Sequence, residues 1–390
     1  MSHIEDLIAQ HCPNGVEYMA LADVADIKNG SDYKHLSEGS IPVYGSGGRM
    51  DVRVSAAAYD KPTVLLPRKG SITNVFYVDK PFWNIDTVFY TVIDTSKITP
   101  RYFYHVMLNA HIERYSTGSA ARPSLTQTAL KKIKIPVPPL EVQDEIVRIL
   151  DSFTNLEANL QIELEVRRQQ YEYYRDSLLS LESLSNKLRD EVRIIPLGNI
   201  CKIARGASPR PIRSFLSQDS FASVPWIKIG DIDPAGKYVT KTSQYIKPSG
   251  VEKSREVFPG DFLLSNSMSF GRPYISKIYG CIHDGWLKLS DFEKIFLPDY
   301  LYHLLRSSQV QLQFQASVGS GTVSNLNSLA VSKVMVPVPP LAEQERIVGI
   351  LDKFDALVND LSSGLPAEIE ARHKQYEYYR GQLLTFTPAK

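Results

Sequence analysis

The chain has 390 residues, 43% of them hydrophobic and 22% charged, with a formal net charge of +1; this length allows two or three domains with cores of their own, and the composition excludes wholesale disorder and a collagen-like chain. No run approaches the roughly 18 apolar residues a membrane helix needs, and the first residues carry Glu5 and Asp6 where a signal would be basic and then apolar, so no membrane partner and a cytoplasmic location are expected. Cys12, Cys201 and Cys281 lack any paired spacing, which argues against a disulfide framework or a zinc site.

Residues 1–139 read as a mixed α/β block. Short β-branched and aromatic runs at 63–66, 75–78 and 87–91 are separated by Gly, Pro and Asp turns, and Pro100 opens a helix predicted to reach 115. Between 140 and 195 there is no Pro or Gly. Ile146, Leu150, Phe153, Leu156, Leu160, Leu164, Tyr171, Tyr174, Leu178 and Leu181 recur there at steps of three, four or seven, interrupted by Arg167. That spacing predicts one amphipathic helix over 140–188, roughly 70 Å long at 1.5 Å per residue. A second block, 191–340, shows strand-like runs at 226–229, 262–264 and 274–279 and a helix predicted over 298–315. The stripe returns with Ile347, Leu351, Phe354, Leu357 and Leu361, then Leu365, Ile369, Arg372, Tyr376, Tyr379 and Leu383, with a break predicted at Gly364 and Pro366.

The chain is an internal duplication. PVPPL stands at 136–140 and again at 337–341, followed by QDEIVRILDSF from Gln143 and QERIVGILDKF from Gln344, an offset of 201. QYEYYR recurs at 170–175 and 375–380, where the offset is 205, so four extra residues fall within SSGLP at 362–366. Fainter matches pair LADVADIKNGS from Leu21 with LGNICKIARGA from Leu197, and TVLLPRKGS from Thr63 with DFLLSNSMS from Asp261. Tyr104 and His105 match Tyr302 and His303, and the segments from Ser116 and Ser317 close each block in the same way.

The fold class these patterns predict is α+β. Two globular mixed α/β domains, 1–139 and 191–340, are separated by helical regions 140–190 and 341–386. The helices are predicted to pack as an antiparallel coiled coil with a pseudo-twofold axis that holds the blocks apart. Four inserted residues are the length of a stutter, which the second helix can absorb by local unwinding. In each QYEYYR cluster, two rings belong to the helix core and one is exposed; the exposed Tyr173 and Tyr378 are candidates for docking another protein.

Charge is unevenly spread: net +2 over 1–139, −5 over 140–195, +6 over 196–340 and −2 over 341–390. Two basic blocks alternating with acidic helices favour nucleic-acid binding only weakly. Polar, basic loops carry the candidate DNA-contacting residues. Arg205, Ser208, Arg210 and Arg213 lie in RGASPRPIR, where arginines can fork onto guanine edges or phosphates, and Lys28, Asn29, Ser31 and Lys34 occupy the matching place in the first block. Arg68, Lys69, Ser71 and Asn74 face Asn266, Ser267, Ser269 and Arg272 in the repeat alignment, and Gly118, Ser119, Arg122 and Ser124 face Gly319, Ser320, Thr322 and Ser324.

No catalytic motif is found. A methyltransferase of amino groups needs an Asn or Asp before Pro-Pro-Tyr/Phe, and the only Pro-Pro pairs here lie in PVPPL. The chain has no GxxxxGK[ST] phosphate loop, no HExxH metal spacing and no GxSxG elbow. No catalytic residue, metal or cofactor is therefore expected in this chain, and His105 reads as a core or capping residue.

At these motifs the chain resembles the specificity subunits of type I restriction-modification enzymes, from about Gly15 to Phe386. Members carry P-x-P-P-L-x-x-Q-x-x-I-v-x-x-L-D and a later Q-Y-x-Y-Y-R-d-x-L-L; both occur twice here, at 136–151 with 170–179 and at 337–352 with 375–384. The GLPAEIEAR stretch at 364–372 also looks like the family's second conserved region. The resemblance implies two target-recognition domains that read the halves of a split, asymmetric double-stranded DNA target, with a spacer set by the helices. It further implies that two methyltransferase subunits bring S-adenosylmethionine and two restriction subunits bring ATP hydrolysis and Mg. Two other readings fit the same residues: the recognition subunit of another bipartite restriction system whose partner fuses methylation and cleavage, and a coiled-coil scaffold with two protein-binding heads and no DNA. A methyltransferase or nuclease acting alone would need methyl transfer by the isolated chain.

Overall fold

The computed structural model describes residues 2–117, 123–188, 191–219, 221–233, 236–266, 271–317, 325–360 and 362–389. The chain forms two compact units that do not follow chain order: residues 1–159 with 369–390, and residues 160–368. Each unit therefore contains one globular block, part of the helix that follows it and part of the helix from the other repeat.

In the first unit, a four-stranded antiparallel sheet has the order Ala25–Asn29, Val88–Ile93, Thr63–Pro67, Phe76–Val78. Its inner strand Thr63–Pro67 is buried at every residue, the pattern of a strand covered on both faces. A second sheet of three strands, Gly48–Val54, Glu38–Gly45 and Trp83–Asn84, lies beyond it. Pro100–Asn109 forms the helix predicted there, but it stops short of 115: His111 takes a left-handed conformation (φ 48°) and Ile112–Tyr115 continues as a 3-10 turn. Tyr18–Ala20 pairs with Lys134–Pro136, so the proline motif leaves the block as a strand and feeds the next helix.

The second unit repeats this frame. Lys202–Arg205, Trp286–Ser290, Phe262–Ser265 and Pro273–Ser276 form its main sheet in the same order, with Tyr238–Val239 added in parallel at the edge. Its second sheet has five strands instead of three. The helix predicted over 298–315 is divided into Pro298–Arg306 and Ser308–Ser317, because Ser307 is extended. Arg193–Pro196 pairs with Met335–Val338, as Tyr18–Ala20 does with Lys134–Pro136.

The long helix runs Leu140–Leu179 and then restarts as Leu181–Leu188. Continuity to 188 was predicted; Ser180 interrupts it, its Oγ accepting from Ser183 N at 3.1 Å as an N-cap for the shorter helix. The second helical region breaks at the predicted place, into Leu341–Asn359 and Leu365–Leu383. A Cβ on Gly364 would meet the Ala356 carbonyl at 2.5 Å, which explains why glycine stands at that turn.

Inside each unit the helical segments pack antiparallel. In the first, Phe153 stacks on Tyr379 (centroids 5.3 Å apart) while Glu157 pairs with His373. In the second, Phe354 stacks on Tyr174 at 5.4 Å while Glu343 pairs with Lys187. The motif glutamines are latches. Fully buried Gln143 accepts from Thr99 N and donates to the Lys97 and Pro138 carbonyls, all at 2.8 Å. Gln344 makes the equivalent bonds with Leu297 N and the Ile295 and Pro339 carbonyls. Beside each latch a fully buried histidine joins helix to block: His105 bonds Asp151 at 2.8 Å and Tyr376 at 3.2 Å, and His303 bonds Asp352 at 2.8 Å and Tyr171 at 3.0 Å.

Candidate nucleic-acid interface

In each unit, three sequence-distant loops meet at one junction, with an aspartate bonded to at least one of them. In the first, strand Ala25–Asn29 delivers Asn29, strand Thr63–Pro67 ends where Arg68 and Lys69 emerge, and the segment before Gln127–Leu130 supplies Ser124 to Thr126. Leu125 N donates to the Arg68 carbonyl at 2.8 Å, and Lys69 and Ser124 form a β-bridge. Arg68 donates to the Asp86 carbonyl at 3.3 Å, and the Lys69 ammonium lies 2.7 Å from the Asp86 carboxylate. Gln127 Nε2 donates to Asn29 Oδ1 at 3.1 Å. Asn29, Arg68, Lys69, Ser124 and Gln127 line a cleft of about 450 Å³.

The second unit builds the same junction with different side chains. Leu326 N donates to the Asn266 carbonyl at 2.9 Å, and Asn266 Nδ2 donates to the Asp284 carbonyl at 2.7 Å, in the places of Leu125, Arg68 and Asp86. Arg205 Nε donates to the same carbonyl at 3.2 Å, Ser208 Oγ to the Asp284 carboxylate at 2.7 Å, and Arg210 lies 3.7 Å from it. The Ser208 hydroxyl bond holds the Asp284 carboxyl below its usual pKa, so the loop is tied to an ionised acid. Ser208, Arg210, Arg213, Trp226, Lys228, Gln244, His283 and Asp284 line a larger cleft of about 850 Å³. Burial holds the His283 imidazole below its usual pKa. Glycine is required at both loop entries: a Cβ on Gly30 would strike the Ile85 carbonyl, and one on Gly206 the equivalent His283 carbonyl.

Of the residues singled out from sequence, Asn29, Arg68, Lys69 and Ser124 share one cleft, and Ser208, Arg210 and Arg213 share the other, with Arg205 tied to Asp284 beside them. Lys28 is exposed and paired with Asp26 at 2.6 Å, one residue out of phase with Asn29 on the strand. Ser31 and Lys34 follow in the exposed loop, where the Ser31 carbonyl takes the Trp83 indole N–H at 2.9 Å. Ser71 is exposed, and Asn74 donates to the Ser46 carbonyl at 3.0 Å. Asn266 is only 3% exposed, so its side chain braces the loop and is not presented on the surface. The Arg272 guanidinium lies 5.7 Å from the Tyr274 ring centroid. Arg122, Ser267, Ser320 and Ser324 lie outside the described residues. The Leu125 and Leu326 contacts set Ser124 opposite Asn325, one residue from the Ser324 of the sequence alignment. Tyr173 and Tyr378 are 68% and 63% exposed, each beside a ring that is packed.

Sequence reasoning missed the two aspartates, together with Gln127, Lys228, Gln244 and His283. The aspartates had a signal: Asp86 and Asp284 are 198 residues apart, the offset that also relates Tyr104-His105 to Tyr302-His303. Acidic residues are not sought in a basic loop.

The family model for the type I restriction modification DNA specificity domain matches residues 13–166 and 189–371. The chain is 31% identical to a protein named as a type I restriction enzyme specificity subunit of Haemophilus influenzae, across 95% of this chain and 96% of the relative. It is 35% identical to the specificity subunit of the type I restriction enzymes EcoR124I and EcoR124II of Escherichia coli, across 76% of this chain and 73% of the relative. In fold it is similar to the S subunit of a type I restriction-modification system from M. genitalium (TM-score 0.56, 16% identity, 95% and 96% of the two chains). It is also similar to a chain from a structure on complex assembly and conformational transition of the type I R-M system (TM-score 0.62, 17% identity, 95% and 98%).

Proposed function

Because the chain belongs to the specificity subunits of type I restriction-modification enzymes, the non-catalytic DNA-recognition members of those systems, we propose that its two loop junctions read the two halves of a split, asymmetric DNA target. One observation carries this reading: the junctions share backbone contacts and an aspartate hub, yet Arg68 and Asn29 in one stand where Asn266 and Arg205 stand in the other. A shared frame with different polar groups is what two readers of unlike half-sites need, since base edges are distinguished by their donor and acceptor patterns. Lysines at the rims, such as Lys69, would neutralise phosphates and set register without adding sequence information.

In this reading two methyltransferase subunits, carrying S-adenosylmethionine, dock on the helices around the exposed Tyr173 and Tyr378. Two restriction subunits bring ATP and Mg, and this chain itself needs no cofactor. The helical region sets the spacer, so inserting or deleting four residues within 160–164 changes the spacer length and leaves both half-sites unchanged. The test is methylome sequencing of a host expressing the chain with its methyltransferase partner. One modified motif with two unlike halves and a fixed spacer is expected; a palindromic motif, or none, overturns the reading.

A further inference from the structure

The junctions differ most informatively at one fold-equivalent position. In the first unit it holds a linked amide pair, Asn29 and Gln127; in the second it holds Arg205 and Ser328. Asn29 and Arg205 are both exposed, each at the end of the sheet strand that precedes its loop-entry glycine. Gln127 Nε2 donates to Asn29 Oδ1 at 3.1 Å, which uses one donor and one acceptor and leaves the Asn29 amino group and the Gln127 carbonyl oxygen with bonding capacity to offer a ligand. Reversing both amides leaves the same inventory, one donor and one acceptor, so the pattern does not depend on how the amide atoms are assigned.

A donor beside an acceptor matches one base edge in the major groove. Adenine offers N7 as acceptor and N6–H as donor; guanine offers two acceptors, thymine one acceptor and a methyl, cytosine a single donor. Arg205 is different. Its Nε is held by the Asp284 carbonyl at 3.2 Å, and its own carbonyl accepts from Arg255 Nε at 3.3 Å. Fixed along that edge, the guanidinium keeps its two terminal amino groups for a pair of acceptors, the pattern of guanine N7 and O6. We infer that Asn29 with Gln127 reads an adenine in the half-site of the first unit, and that Arg205 reads a guanine at the corresponding place in the half-site of the second. This rests on the DNA-reading function proposed above and names the base and the residues that choose it.

The test uses the full chain co-expressed with its methyltransferase partner, read by methylome sequencing and by selection from duplexes randomised across the wild-type motif. Asn29→Ala and Gln127→Ala each lower discrimination for adenine at one position of one half-site, on the order of tenfold to a hundredfold, and leave the other half-site intact. The double exchange Asn29→Arg with Gln127→Ser shifts that position from A·T to G·C. Arg205→Ala relaxes a guanine in the opposite half-site. Lys69→Ala serves as the contrast, weakening binding evenly across sequences with a shallower salt dependence. Thermal unfolding of each variant separates loss of reading from loss of fold; if the exchange fails to fold, the alanine variants decide. An unchanged motif in folded Asn29→Ala and Gln127→Ala, or a change at a position that is not adenine, overturns the inference while leaving the reader function standing. Absence of any sequence-specific binding by the wild-type complex overturns the reader function itself.

Discussion

The two units keep the same frame and change what hangs on it. The four-strand order, the proline strand, the glutamine latch, the buried histidine and the aspartate hub all recur, whereas the second sheet grows from three strands to five. Even inside the frame, charge is conserved by substitution. In the first unit Arg101 bonds Asp151 at 2.9 Å and lies 5.0 Å from the centre of the Tyr104 ring. In the second, Asp299 stands where Arg101 would, and Lys237, just before the edge strand Tyr238–Val239, supplies the cation, 2.6 Å from Asp299, 3.5 Å from Asp352 and 4.7 Å from the centre of the Tyr302 ring. A half-buried acid beside a buried histidine has a positive neighbour in both units, and the fold accepts one from either direction. The joints are thus under tight physical constraint, and the loops are free to differ.

The largest effect expected on this comparison is at the latches. Gln143→Leu leaves Thr99 N and the Lys97 and Pro138 carbonyls without their partner, costing about 2–4 kcal/mol; Gln344→Leu costs the same in its own unit. Urea unfolding measures both, and a loss in only one unit would break the equivalence.

The histidines come next. Burial holds the pKa of His105 and of His303 below the ordinary 6.5, despite the opposing bonds from Asp151 and Asp352. The unfolded chain therefore takes up protons first. Stability is full above about pH 6.5 and falls on acidification until the folded pKa is passed, by at most about 1.4 kcal/mol per pH unit for each histidine. Asp151 and Asp352, although burial opposes it, are held below 3.8 by their histidines and neighbouring cations, so their contribution is lost only at still lower pH. A melting temperature flat between pH 7 and 5 contradicts this; His105→Gln with His303→Gln removes the slope.

Smaller still are the hubs. Asp284→Ala releases Ser208 and Arg210 and relaxes selectivity in the second half-site alone, by about tenfold, and Asp86→Ala does so in the first alone; competition binding with half-site mismatches reads both. The least effect on stability is at the exposed rings, where Tyr173→Ala and Tyr378→Ala shift it by no more than about 0.5 kcal/mol yet reduce co-purification of the methyltransferase subunit.

What was legible in the sequence was what repeats or has a period. The duplicated motifs placed the helices, the break at Gly364 and the exposed Tyr173 and Tyr378; Tyr174, expected in the helix core, is 39% exposed although it stacks on Phe354. His105, read as a core or capping residue, is fully buried between Asp151 and Tyr376. The interruption at Ser180 was not legible, because a serine inside a helical stripe caps a new helix only when the chain turns there. Nor were the hubs, since Asp86 and Asp284 act partly through their backbone carbonyls, which no side-chain pattern records. Loop arginines and lysines could be picked out by type, but their partners follow from tertiary contacts between segments far apart in the chain.

The central claim is that one frame carries two independent readers. Replacing residues 196–335 with the corresponding block of another member of the family, and sequencing the methylome of the resulting host, tests it directly. The account predicts a motif in which one half-site changes and the other half-site and the spacer persist. A change in both half-sites, or in neither, would contradict it.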